Sequence, residues 1–198
     1  PDLFTNAKQL IAKGIDIQIE AGLNIYTETF RSMCNEIVEN DKDLFDMFKT
    51  TLEHQNIQIS LCALQAVSQL LSVVQPKYAN HFLGLLESMA KLPMRALEED
   101  DEAVLEDAMV EFNAMAEAEP KFFKNHFGDL FNIFDQIISK GDTLNSTIRQ
   151  QPIEFLTTVA ERQPSLLQTN EGYLKQMLDT VFKLMIDIDD EIDETWGD

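Results

Sequence analysis

Three histidines, two cysteines and two dense runs of carboxylates are the side chains of this sequence that could do chemistry. His54, His81 and His126 could ligate a metal or move a proton near neutral pH. They stand far apart, and no HExxH, P-loop or GxSxG pattern accompanies them. His81 and His126 each precede a phenylalanine in related phrases, QPKYANHFLGLL and EPKFFKNHFGDLF, so they read as one repeated position rather than a ligand set. Cys34 and Cys62 match no metal or redox spacing and read as buried or half-buried thiols of a reducing compartment. The carboxylates are more informative. Residues 98–119 hold ten acids and no Lys or Arg, and residues 187–198 hold seven acids and no Lys or Arg. Acids exposed together titrate as a solvated cluster, and an acid–base pair needs burial in opposed environments. DIDDEID also lacks the glycine and spacing of an EF-hand loop. No catalytic residue, cofactor or metal is therefore expected, and no enzyme.

What such runs can do is attract basic partners. The formal net charge is −20, and the two runs account for −17 of it, leaving 18 acids against 15 bases elsewhere. Nucleic acid would be repelled, so no direct contact with it is expected. No apolar run approaches the ~20 residues that span a bilayer, and no membrane partner is expected. A charge run commonly does no more than keep a face wet. Trp196, set among the acids of the second run, argues for contact there.

The elements that carry these runs repeat. Pro76, Pro120 and Pro164 are each 44 residues apart and open similar segments. Asp16, Asn56, Asp101 and Asn145, at spacings of 40, 45 and 44, are helix-capping residue types, each with Ile or Val three positions on. Phe123, Phe127, Leu130, Phe131, Phe134 and Ile138 form a helical stripe, as do Leu61, Leu64, Val67, Leu71 and Val74. No segment alternates as a strand does. The expected fold is all-α: a superhelical solenoid of antiparallel helix pairs of HEAT or armadillo length, with a compact bundle as the competing architecture. Units are expected at about 1–38, 41–75, 76–119, 120–163 and 164–186, followed by an acidic loop over 187–198 that leads to the next helix. Pro152 is expected to kink its helix or delay its start, and Pro93 to break or bend its own. Both acidic runs begin where a first helix gives way to a second, in units three and five, so they should share one edge of the array.

These residues resemble the importin-β (karyopherin-β) superfamily, and within it the importin subunit beta-3 (importin-5) type. The similarity is best over 100–198 and rests on repeat spacing alone over 1–75. Pro120, Lys121 and Phe122, the turn Gly141, Asp142 and Leu144, then Arg149, Gln150 and Glu161 follow the family's order. A helix carrying Met177, Leu184 and Met185, followed by an acidic stretch closing in Trp196, is similar to the family's acidic segment. Pro152 departs from the family's usual small residue. The resemblance implies part of the N-terminal half of a longer nuclear import receptor, shuttling between cytoplasm and nucleus. It implies basic cargo carrying nuclear localisation signals, ribosomal proteins and histones being of that kind, with Ran-GTP as a partner of the full-length protein and nucleoporins as further partners. In related importins an acidic loop contacts Ran or basic cargo. The matching positions are Asp187, Asp189, Asp190, Glu191, Asp193, Glu194 and Trp196, and Glu98, Glu99, Asp100, Asp101 and Glu102 form the second candidate surface. The alternative is a HEAT scaffold of another kind, such as a phosphatase regulatory subunit.

Overall fold

Helix starts set the architecture. In the computed structural model, which describes residues 3–140, 143–168, 172–173 and 175–182, three capping side chains stop the chain just before a helix. Asn56 Oδ1 accepts from the Gln58 amide at 3.0 Å, Asp101 Oδ1 from Val104 at 3.1 Å, and Asn145 Oδ1 from Thr147 at 2.9 Å. Each satisfies an amide that the first helical turn leaves without a partner. The helices they open are α4 (Ile57–Val73), α7 (Glu102–Ala118) and α9 (Ser146–Arg162). Asp16 behaves differently. It is the first residue of α2 (Asp16–Asn40) rather than its cap, and its Oδ2 accepts from Asn56 Nδ2 at 2.7 Å, tying one helix start to the next.

The partner helices are α1 (Leu3–Ala12), α3 (Leu44–Leu52), α5 (Pro76–Ala79), α6 (Leu86–Glu98), α8 (Phe127–Ile138) and α10 (Ser165–Gln168), with helical residues 172–173 and 175–182 beyond. No strand occurs among the described residues. α2 packs on α4, α4 on α7 and α7 on α9, forming one layer of second helices. The other layer lies behind it, with α3 against α6 and α6 against α8. Second helices begin at 16, 57, 102 and 146, steps of 41, 45 and 44. That is the period of HEAT units rather than the ~34 residues of a tetratricopeptide repeat.

Four expectations change. Pro76 opens only one helical turn, and a 3₁₀ segment, Asn80–Leu85, intervenes before α6. Pro120 opens a 3₁₀ turn, Pro120–Phe123, and α8 begins only at Phe127. The weak helix formers Asn80, His81, Asn125 and His126 lie in these interruptions. Pro93 and Pro152 neither break nor delay a helix. α6 and α9 run through them, and both residues are buried, so each lost backbone bond is offset by apolar contact. Finally, α2 crosses the expected limit of the first unit, and its interruption lies at Met33.

The core is continuous along the array. Phe112, Phe123, Phe134 and Phe155 pack ring to ring between α7, α8 and α9, with Phe134 and Phe155 centroids 4.8 Å apart. Tyr26, Phe30 and Phe48 form the corresponding cluster near the other end. α1 crosses α2 closely at Gly22, where a β-carbon would lie 2.8 Å from the Ala7 carbonyl oxygen.

Tyr26 is fully buried, and its hydroxyl donates to Asp41 Oδ2 at 3.1 Å. Burial, then the charges of Asp41 and Asp43, push the phenol far above its ordinary value of 10. An unfolded tyrosine ionises near pH 10 while this one stays protonated. Its contribution is therefore fully present below pH 10 and lost above it, by up to ~1.4 kcal/mol per pH unit. Tyr26→Phe should cost about 1 kcal/mol at pH 7, the net worth of one hydrogen bond. The gap should close or invert by about pH 11. Denaturant titrations of both proteins at the two pH values check this, and a constant gap contradicts it.

Candidate functional site

The two layers differ in charge. The second helices α2, α4, α7 and α9 carry twelve acids against three bases, Arg31, Arg149 and Arg162. The partner helices α1, α3, α5, α6 and α8 carry five acids against five bases. The excess comes from α2, five acids against one base, and α7, five against none, while α4 is uncharged and α9 is balanced. α7 supplies the densest part. Its apolar stripe, Val104, Leu105, Ala108, Met109, Phe112, Met115 and Ala116, is buried. The helical period then turns Glu106, Asp107, Val110 and Glu117 outward.

Glu111 is half-buried between α7 and α4. Burial raises its carboxyl, the Ser68 hydroxyl draws it back, and Asp107 raises it further. The neighbouring α4 offers only neutral groups, Gln58, Cys62, Gln65 and Gln69. Across to α9, Asn113 Nδ2 donates to Gln151 Oε1 at 2.7 Å and keeps the two helices in register.

Glu98, Glu99, Asp100, Asp101 and Glu102 form the turn between α6 and α7, at the edge of this face. Four of the five are exposed and Asp101 is half-buried. Asp101 is committed to capping α7, and Glu99 lies 3.8 Å from Arg95. Asp100 adopts a left-handed backbone, φ 53°, which closes the turn. Arg95 anchors the turn by donating to the carbonyls of His54 and Gln55, both at 2.9 Å. Asp187, Asp189, Asp190, Glu191, Asp193, Glu194 and Trp196 lie outside the described residues, as do Gly141 and Asp142 of the family-like turn. The acidic run 98–119 seen in the sequence covers both this turn and α7, although only Glu98–Glu102 were named as contact residues. The acids of that face recur at helical spacing opposite the apolar stripe, a signal that points to a partner only once the charge balance of both layers is known.

His126 and His81 lie in the first-helix layer and its turns, and burial keeps both thiols protonated. His126 stands 3.6 Å from Asp129 beside a groove of about 450 Å³ between α6 and α8, also lined by Met94, Leu130 and Ile133. His81 packs edge-on against Tyr78. Burial raises the Cys34 thiol to about 11 and also raises that of Cys62, where Glu20 adds to it. A protonated thiol is a poor nucleophile and a poor metal ligand. No group of three or more His, Cys, Asp or Glu that could hold a metal occurs among the described residues.

Comparison with known proteins gives this face a context. A family model described as "IPO5-like, TPR repeats" matches residues 7–133, and one described as "Importin repeat" matches residues 141–198. The chain belongs to the importin-5-like family. No curated protein matches it in a sequence search. Among solved structures, this importin-5-like chain is similar in fold to the karyopherin Kap121p. With Kap121p bound to Ste12p it superposes at a TM-score of 0.82 with 18% identity, covering 93% of this chain and 18% of that one. With Kap121p bound to Nup53p the values are 0.82, 19%, 93% and 18%, and with Kap121p bound to RanGTP 0.74, 19%, 87% and 16%. The importin-5-like chain thus spans less than a fifth of the length of those structures. Its family is one of nuclear transport receptors, and the karyopherin HEAT solenoid is its fold.

Proposed function

We propose that this chain is a section of a nuclear transport receptor and that its acidic second-helix face receives extended basic segments of cargo. The observation that carries the reading is the division of charge, twelve acids against three bases on one layer and five against five on the other. The extended concave side of a solenoid is its usual binding surface, and we place α2, α4, α7 and α9 there. Kap121p structures bound to Ste12p, to Pho4p, to Nup53p and to RanGTP support the same partner classes for the receptor to which this section belongs. A Kap121p structure with three acids changed to lysine exists as well. In this reading the full receptor shuttles between cytoplasm and nucleus and exchanges cargo under Ran-GTP.

The acidic turn 98–102 and the acidic segment 187–198 begin two repeat lengths apart in the sequence, and in this reading cargo contacts both. Packed helices step ~8–10 Å, so units three and five are separated by about 20 Å. About six residues of extended chain, at ~3.3 Å each, bridge that gap. Cargo with two Lys/Arg clusters about six or more residues apart should engage both. The test titrates short and long basic peptides at two ionic strengths. One variant carries Asp187→Asn, Asp189→Asn, Asp190→Asn and Glu191→Gln. The other carries Glu98→Gln, Glu99→Gln, Asp100→Asn and Asp101→Asn, and the last change preserves the cap. The first variant should weaken binding of both peptides and flatten its salt dependence. Combined with the first, the second should add a further loss only for the long peptide. Unchanged binding, or equal responses at both lengths, refutes the two-cluster arrangement.

A further inference from the structure

α2 has 25 residues, whereas α4, α7 and α9 have 17 each. The excess begins at Met33, whose φ of −131° and ψ of 19° are not helical. Residues 16–32 thus match the length of the sibling second helices. Residues 34–40 continue α2 beyond this point and lie beside the turn that opens at Pro76: the Gln75 amide donates to Asn35 Oδ1 at 3.1 Å, Tyr78 bonds Glu39, and Lys77 sits 3.9 Å from Glu39.

The sibling junctions are built differently. α4, α7 and α9 end at Val74, Glu119 and Gln163 with ψ of 145°, 72° and 63°, and Pro76, Pro120 and Pro164 follow within two residues. Proline fixes its own φ, lacks a donor and keeps its predecessor extended, so those helices cannot run on. Nothing of the kind stands at 33–35. Side-chain hydroxyls instead engage the backbone carbonyls just before it. Thr27 Oγ1 donates to the Leu23 carbonyl at 3.1 Å, and Thr29 Oγ1 donates to the carbonyl of Ile25. Ser32 Oγ donates at 3.3 Å to the Thr29 carbonyl, the acceptor that an unbroken helix would offer to Met33. Such back-bonding bends helices, and unlike proline it is reversible.

We infer that Met33 is a hinge between the first helix pair and the rest of the array, held bent by a latch in which Lys8 and Tyr26 grip Asp41. Lys8 Nζ lies 2.5 Å from Asp41 Oδ1 and 3.4 Å from Asp43 Oδ2, and Tyr26 donates to the other Asp41 oxygen. Lys8 and Tyr26 precede the bend, and Asp41 and Asp43 follow it. Eight residues at 1.5 Å put Asp41 about 12 Å from Met33, so a swing of ~20° moves it about 4 Å, enough to separate the latch. The two states are a broken and a continuous α2, and the angle between repeats one and two differs between them. The hinge does not depend on what the acidic face binds.

The test is a distance measurement between spin labels at Gln9 and Lys49, one on each side of Met33, in a chain with Cys34→Ala and Cys62→Ser. The labelled parent should show one dominant distance. Lys8→Met should add a second population, shifted by several ångströms. Ser32→Ala, a conservative change at an exposed site, should at least double the same second population by freeing the Thr29 carbonyl. Circular dichroism and a denaturant midpoint for each variant show that it is folded. A distribution identical in the parent and both variants overturns the hinge, as does a second population in the parent that neither variant changes.

Discussion

Replacing Phe134 with alanine is expected to cost ~3–5 kcal/mol of stability. Phe134 is fully buried, with its ring 4.8 Å from Phe155 and 5.7 Å from Phe112, both edge-on. The loss combines transfer of the ring from water, a cavity between three helices, and edge-to-face contacts worth about 0.5–1.5 kcal/mol per pair beyond area. It is a large part of the 5–15 kcal/mol typical of a folded domain. The effect should also be uneven. In a stacked array each unit depends on its neighbours, so α7, α8 and α9 should lose amide protection first while α1–α3 retain more of theirs. Leu3→Ala, at a side chain 52% exposed, serves as the control and should stay within about 0.5 kcal/mol of the parent. A denaturation midpoint unmoved by Phe134→Ala would contradict the placement of this stripe in the core.

Much of this organisation was legible in the sequence. Asn56, Asp101 and Asn145 announced the second helices because a capping side chain acts within three residues of itself, and the apolar periods of α4, α7 and α8 followed. The first helices were less legible. Pro76 and Pro120 mark where a helix can start, and they do not say how far it runs. Asn and His soon afterwards favour a 3₁₀ break that tertiary packing of Phe82, Phe122 and Phe123 then completes. Pro93 was expected to break or bend its helix and Pro152 to kink or delay its own, and both helices run through their prolines. A lost backbone bond is a local cost, and the burial that offsets it is a property of the stack. The break at Met33 follows Thr27, Thr29 and Ser32, three hydroxyls in six residues, whose acceptors are fixed only by the helix itself. The acidic turn 98–102 was plain as a run. Glu106, Asp107 and Glu117 were part of the run 98–119 as well, but which side of α7 they face is fixed only by its buried stripe.

That division of charge makes the second large prediction. Changing Glu106→Gln, Asp107→Asn and Glu117→Gln together removes three exposed negative charges from the α7 face without touching its buried stripe. Single exposed ion pairs contribute ~0.2–1 kcal/mol, so three should weaken binding of a basic peptide by roughly 0.6–3 kcal/mol, about three- to 150-fold, at low salt. The loss should shrink as ionic strength rises and the Debye length falls. The decisive measurement titrates one lysine-rich peptide against three proteins at equal ionic strength: the parent, this α7 variant, and a control with Asp46→Asn, Glu87→Gln and Asp129→Asn on α3, α6 and α8. Both variants have the same net charge, three units less negative than the parent. Binding by the second-helix face predicts a loss of about threefold or more in the α7 variant and a change within about twofold in the control. Equal losses in the two variants would mean that the peptide responds to net charge alone, and the assignment of this face would be wrong.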